Sequence, residues 1–145
     1  MVSIAADFLA TADNVNAYRQ SIMEAGLPAA LEKEYLADLA KVVRGKSRYF
    51  NMFPDQVDSS RSMLAKPQKV AILIDEGCAS SAEQFLLEAR QSTKVTLYGV
   101  HSRGVLDYAN VCEKKFEGYS LLYPTSRSRR IVKGEDIENK GIQPH

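Results

Sequence analysis

The segment Val70-Ala71-Ile72-Leu73-Ile74-Asp75-Glu76-Gly77-Cys78-Ala79-Ser80-Ser81-Ala82-Glu83-Gln84-Phe85-Leu86-Leu87 constrains the fold more than any other stretch of the chain. Its first five residues are apolar and three are β-branched, which predicts a strand buried on both faces, as in a parallel sheet covered by helices. A run of small residues follows and makes a tight turn. Ser80, with Glu83 three positions on, has the S-x-x-E pattern that opens a helix. The helix runs from about Ser81 to Gln91 and turns Ala82, Phe85, Leu86 and Ala89 inward. Lys94–Val100 is a second β-branched strand. Strand, helix and strand together make a crossover of the right-handed parallel kind, so the chain reads as α/β.

The remainder is compatible with that class. Val2–Leu9 reads as a strand. Thr11 or Asp13 caps a helix whose apolar face is Val15, Tyr18, Ile22 and Ala25, with Gly26 as its end. Pro28 suits the start of a second helix carrying Leu31, Tyr35, Leu39 and Val42, with Gly45 as its stop. Residues 46–68 hold Pro54, Pro67, serines and scattered aromatics and read as a long irregular connection within one domain. Further strands are expected near Tyr108–Phe116 and Tyr119–Thr125, with Gly118 at the turn between them. The tail from Glu135 to His145 is polar.

Bulk properties narrow the function classes. A length of 145 residues suits a single domain spanning 1–145. A net charge of +1 gives no electrostatic footprint for nucleic acid. The short basic run Arg127, Arg129 and Arg130 reads as solvated surface, with contact to an acidic partner as the alternative. Two cysteines and two histidines provide neither a disulfide framework nor a metal-binding spacing, and no organic cofactor is implied. No apolar run approaches the roughly 18 residues of a membrane span. The first residues show no signal-peptide pattern, which leaves the compartment open, secreted and periplasmic parents included.

The chemistry concentrates at Ser80. Small residues at a strand-to-helix turn let a substrate carbonyl approach the backbone, and the first N–H groups of the helix are unpaired within it. The N–H of Ser81 can therefore donate to a developing oxyanion, in the manner of a nucleophile elbow, although G-x-S-x-G itself is absent. The same residues also fit plain helix capping by Ser80. Cys78, near the helix start, is a rival nucleophile or a small packing residue.

Four pieces in order resemble the C-terminal half of the catalytic domain of C-terminal-processing and tricorn-type serine peptidases. They are Lys69–Ile74, Gly77–Glu83, Gly99 with Gly104 five residues on, and Asn139-Lys140-Gly141-Ile142-Gln143-Pro144. The resemblance covers Val70–Pro144. It implies a ClpP/crotonase-like fold, with a mostly parallel sheet flanked by helices and the N-terminal part of the catalytic domain missing. It also implies peptide-bond hydrolysis of a peptide or protein substrate through an acyl-enzyme on Ser80, with Ser81 N–H as an oxyanion donor.

The resemblance offers two designs for the base. In the processing branch a lysine follows the glycine that matches Gly104, but Val105 stands there and cannot take a proton. In the tricorn-type branch a histidine is oriented by a glutamate before the Asn-x-Gly stretch, and Glu138 takes that position. The histidine of that branch lies well upstream of the nucleophile, where this chain has none. His101, in the loop after Val100, is the remaining candidate base, and Arg103, Gly104, Val105 and Tyr108 border the expected substrate cleft. The expectation is a serine peptidase domain cut short, inactive alone, whose open apolar surface promotes homo-oligomers. The alternatives are a non-catalytic peptide-binding or structural module of the same fold, or an acyl-CoA enzyme of the related architecture.

Overall fold

The computed structural model describes residues 1–45, 47–51, 53–60 and 64–145. Among these described residues twelve elements follow in order: β1 (Val2–Ser3), β2 (Ala6–Leu9), α1 (Ala12–Glu24), α2 (Ala29–Arg44), β3 (Tyr49–Phe50), β4 (Gln56–Val57), β5 (Val70–Ile74), α3 (Ser81–Ala89), β6 (Val95–Gly99), β7 (Tyr108–Phe116), β8 (Tyr119–Ser128) and α4 (Arg130–Lys133). They divide between two compact units. One comprises Met1–Ala5, Asp55–Ala109 and Ser128–His145; the other comprises Ala6–Pro54 and Asn110–Arg127.

The first unit contains the crossover. β5 and β6 pair in parallel, with Val70 opposite Val95 and Ile74 opposite Gly99. Ile74, Leu86, Leu87, Leu97, Ile137 and Ile142 form its core, with Ile72, Cys78, Val95 and Leu106 packed against them. Two expectations are corrected here. β5 is covered on one face only, and Leu73 is 81% exposed, because one strand and one helix are all that flank it among the described residues. α3 turns Glu83, Leu86 and Leu87 inward and leaves Ala82 and Phe85 outside. The helix is rolled so that the Glu83 carboxylate reaches backbone donors on the loop after β6.

The second unit has a sheet in the order β3-β2-β8-β7. β2 and β3 are antiparallel, with Phe8 opposite Phe50. β7 and β8 are joined by only Glu117-Gly118, a connection that an antiparallel pair can close and a parallel pair cannot. α1 begins as the sequence predicts, with Thr11 Oγ1 accepting the Asn14 N–H at 3.2 Å. Val15, Ile22, Leu39 and Phe50 form this unit's core. Phe8, Tyr18 and Phe50 meet with ring centroids 4.9 to 5.7 Å apart.

The mostly parallel sheet expected from the sequence is not what forms. Among the described pairs only β5–β6 is parallel, while β1–β4 and β2–β3 are antiparallel. The chain is a mixed α/β protein. Val2–Leu9 is not one strand but two, because the peptide groups of Ala5 are bonded elsewhere. Its N–H donates to Asp55 Oδ1 at 2.9 Å and its carbonyl accepts the Arg129 N–H at 3.0 Å. The connection at 46–68 falls partly outside the described residues, and its described part includes β3 and β4. The basic run is not free surface either. Arg127 lies over the Tyr49 ring at 3.8 Å, Arg129 is 3.5 Å from Asp55, and Arg130 is buried.

Candidate active site

Ser80 is exposed at the point where β5, having passed through Asp75–Ala79, becomes α3. Its backbone sits at φ 53°, ψ −115°, a conformation that side-chain-bearing residues rarely adopt. Such a residue stores on the order of 1–3 kcal/mol and persists only where its surroundings hold it there. The turn is tied down from both ends. Gly77 N–H donates to Asp75 Oδ1 at 2.9 Å, Cys78 N–H to Asp75 O at 3.0 Å, and Ser80 N–H to Glu83 Oε2 at 3.0 Å. The Ala82 and Gln84 N–H groups bond to Ala79 O and Ser80 O. Ser81 is exposed beside Ser80 at the head of α3, where the first N–H groups of a helix have no partner within it.

Glu83 is the centre of the arrangement. Its residue is fully buried, and its two oxygens accept four hydrogen bonds. Oε2 takes the N–H of Ser80 and of Val105, each at 3.0 Å. Oε1 takes Ser102 Oγ–H and the Gly104 N–H, each at 2.6 Å. Burial pushes this carboxyl up, but the donors from Ser102, Val105, Gly104 and Ser80 outweigh it and hold it below the usual carboxylate range. The sequence gives Glu83 only as the second half of a capping box. Its role in joining the serine turn to the Ser102–Val105 loop is new, as is the participation of Ser102.

The C-terminal stretch is woven into the same loop. Ser102 N–H donates to Ile142 O at 3.1 Å, Ile142 N–H donates to Ser102 Oγ at 2.7 Å, and Asn139 N–H donates to Gly104 O at 2.8 Å. The two strands of chain cross so closely that only glycine fits. A Cβ on Gly104, at φ 76°, would lie 2.6 Å from Gly141 N and Ile137 O, and one on Gly141, at φ 67°, 2.0 Å from Ser102 O.

Glu138 is half-buried in this region, and its Oε2 has no hydrogen-bond partner although it is sealed from solvent. Burial raises its carboxyl above the usual range. The neighbouring charges of Asp107, Glu83 and Asp136 add to that, against one backbone hydrogen bond from Asp107. Asp107, which the sequence does not single out, is fully buried, and its Oδ2 accepts the Ile137 N–H at 2.6 Å. An acid between Leu106 and Tyr108 is the one signal that marks it.

His101 is exposed on the loop after β6. Its Nδ1 is 2.9 Å from Ser102 O and its Nε2 is 3.8 Å from Glu76 Oε1, and no described hydrogen bond joins it to Ser80. His145 Nδ1 accepts the Leu97 N–H at 2.9 Å. Arg103 is bound to the serine turn twice, through its N–H to Cys78 O at 2.8 Å and its Nε to Glu76 O at 3.2 Å. Together with Asp75, Glu76, Gly77 and Val100 it lines an open depression of about 400 Å³ at the ends of β5 and β6. Val105 and Tyr108 are exposed. Cys78 is half-buried against the core. Among the described residues no group of three or more His, Cys, Asp or Glu side chains could hold a metal ion, and no helix is long and apolar enough to cross a membrane.

Known proteins are similar to this chain. The "Probable CtpA-like serine protease" of Staphylococcus haemolyticus (strain JCSC1435) is 35% identical over 82 residues, which are 55% of this chain and 16% of that protein. The solved structure of mature CPAF complexed with lactacystin superposes with a TM-score of 0.61 at 18% identity, covering 98% of this chain and 33% of CPAF. At that identity the likeness to CPAF is one of fold. The chain thus spans well under two thirds of either relative. The pattern of peptidase family S41 matches residues 8–145, and the chain belongs to that family.

Proposed function

We propose that this chain carries the nucleophile side of a serine peptidase site, within a ClpP/crotonase-type catalytic domain larger than the portion described. Ser80 Oγ would attack a peptide carbonyl, forming an acyl-enzyme and releasing the amine, and water would then release the acid. Ser81 N–H would donate to the oxyanion. Glu138 would accept an imidazole N–H, fixing its tautomer and stabilising the imidazolium. Val105, Gly104, Arg103 and Tyr108 would border the peptide. The observation that carries this reading is the backbone of Ser80, forced to positive φ at an exposed strand-to-helix turn. A serine needed only as a cap has no use for that strain.

The unpartnered Oε2 of Glu138 supports its part, because a buried acceptor without a donor is costly unless something occupies it. The imidazole would be supplied from outside the described residues. Both nitrogens of His101 face Ser102 and Glu76, and His145 is bonded to β6. The isolated chain is therefore expected to turn over poorly, since loss of a base costs orders of magnitude in rate.

The test is a peptide-mixture digest by the isolated chain, with and without added imidazole. Cleavage that appears with imidazole and vanishes in Ser80→Ala supports the peptidase. Retention of peptides with no products under either condition would instead support a binding module.

A further inference from the structure

Asp107 carries a charge that packing alone does not require. It is fully buried, and its Oδ2 accepts the Ile137 N–H at 2.6 Å. Its Oδ1 is sealed from solvent without a hydrogen-bond partner among the described residues. A buried carboxylate stabilises a fold when donors surround it, as four do at Glu83. A single donor is met as well by an asparagine oxygen, without the cost of burying an ion. The negative charge of Asp107 therefore needs a use.

Its surroundings supply one. The Asp107 carbonyl accepts the Ser128 N–H at 2.7 Å, which fixes the residue at the end of β8. The buried Arg130 of α4 feels Asp107 most among the carboxylates that keep it charged, ahead of Glu135 and Glu88. Asp107 also meets the Glu138 segment twice. Its N–H donates to the Glu138 carboxyl, and its Oδ2 holds the Ile137 N–H, one residue before Glu138. Glu138 is thus gripped at its carboxyl and at the neighbouring backbone by one residue, and Oε2 is the oxygen left without a bond.

We propose that Asp107 is the positioning residue for Glu138: its two contacts aim Oε2 at the imidazole, and its charge makes that oxygen a stronger acceptor. This deepens the reading of Glu138 as the orienter of an imidazole and rests on it. Like charges in one buried site make each carboxylate more basic. That basicity is repaid when the imidazole takes the Ser80 Oγ proton and becomes positive, as Oγ bonds the peptide carbonyl carbon. Glu83 and Asp136 also bear on Glu138, so the test must change Asp107 alone.

Asp107→Asn does so, because it keeps the side chain's size and an oxygen for the Ile137 N–H. Carboxyl titration by carbon-13 NMR on the 145-residue chain should show Glu138 titrating at lower pH in Asp107→Asn than in wild type. Acceleration of fluorophosphonate modification at Ser80 by added imidazole should fall on the order of tenfold, the usual cost of losing a group that orients a reacting partner. The unsubstituted chain gives a reading free of any folding defect: the Asp107 amide proton should shift as Glu138 titrates. An amide indifferent to that titration would overturn the proposal, as would Glu138 titrating alike in both proteins, or equal acceleration by imidazole in both. A wild type that imidazole does not accelerate overturns the orienter reading itself, and the positioning role with it, whatever the titration shows.

Discussion

Glu83 accepts the backbone N–H of Ser80 at 3.0 Å while itself excluded from solvent. The same oxygen accepts the Val105 N–H, so the serine turn and the loop after β6 share one carboxylate. Each oxygen faces two donors, which no neutral side chain can satisfy; an amide would set its own NH₂ against N–H or O–H groups. Glu83→Ala is expected to destabilise the first unit by about 3 kcal/mol, through four donors left short of a charged acceptor. Glu83→Gln should recover only part of that. Thermal unfolding of the three proteins checks the order.

The same carboxyl sets an acid limit. It is held below its ordinary value of 4.5 in the folded chain. Its stabilisation is therefore complete above about that pH and is lost as pH falls through the folded value. The stability difference between wild type and Glu83→Gln should accordingly shrink on acidification below pH 4.5, and stay constant between neutral pH and the ordinary value.

Glu138 behaves in the opposite sense. Burial and neighbouring carboxylates raise its carboxyl, so the folded state favours the protonated form, and that contribution is lost as pH rises through the folded value. Glu138→Gln should raise the unfolding temperature at pH 7 to 8 and change it little at pH 4. A gain in stability at the cost of the reaction is the usual signature of a residue kept for function. Melting curves at the two pH values, beside imidazole-supported cleavage, read both halves.

Ser80 should show the same conflict through its backbone. Ser80→Gly removes the positive-φ strain and is expected to add about 1 kcal/mol of stability, whereas Ser80→Ala keeps the strain and adds none. Denaturant unfolding of both variants distinguishes them.

The crossing of Gly104 and Gly141 has no slack. Gly141→Ala places a methyl against the Ser102 carbonyl and is expected to cost at least about 2 kcal/mol. The disruption should reach Ser80 through Ser102 and Glu83, visible as faster amide exchange at Ser80 and Val105.

Much of this was legible in the chain itself. The apolar run, the small turn and the S-x-x-E pattern place β5, Ser80 and α3 correctly, because each follows from local chemistry. The glycines at 104 and 141 were visible as pieces of a pattern, though their reason, mutual approach of backbones, is tertiary. What could not be read was direction. A run such as Val70–Ile74 has the same composition whether one face or two are covered, so the exposure of Leu73 is decided by whether a layer packs on its face. Helical periodicity likewise left the roll of α3 open by about one residue, and it was settled by the need of Glu83 to reach Gly104 and Val105. The polar residues Ser102 and Asp107 carry no periodic signal, since their burial is justified by partners distant in sequence.

The most direct test of Ser80 as nucleophile is adduct mapping with a serine-reactive fluorophosphonate, followed by peptide mass spectrometry, in buffer alone and with added imidazole. Slow modification in buffer, accelerated by imidazole and confined to Ser80, is the expected result, with Glu138→Gln weakening the acceleration. Modification spread evenly over Ser80, Ser81 and other exposed serines, unchanged by imidazole, would contradict it.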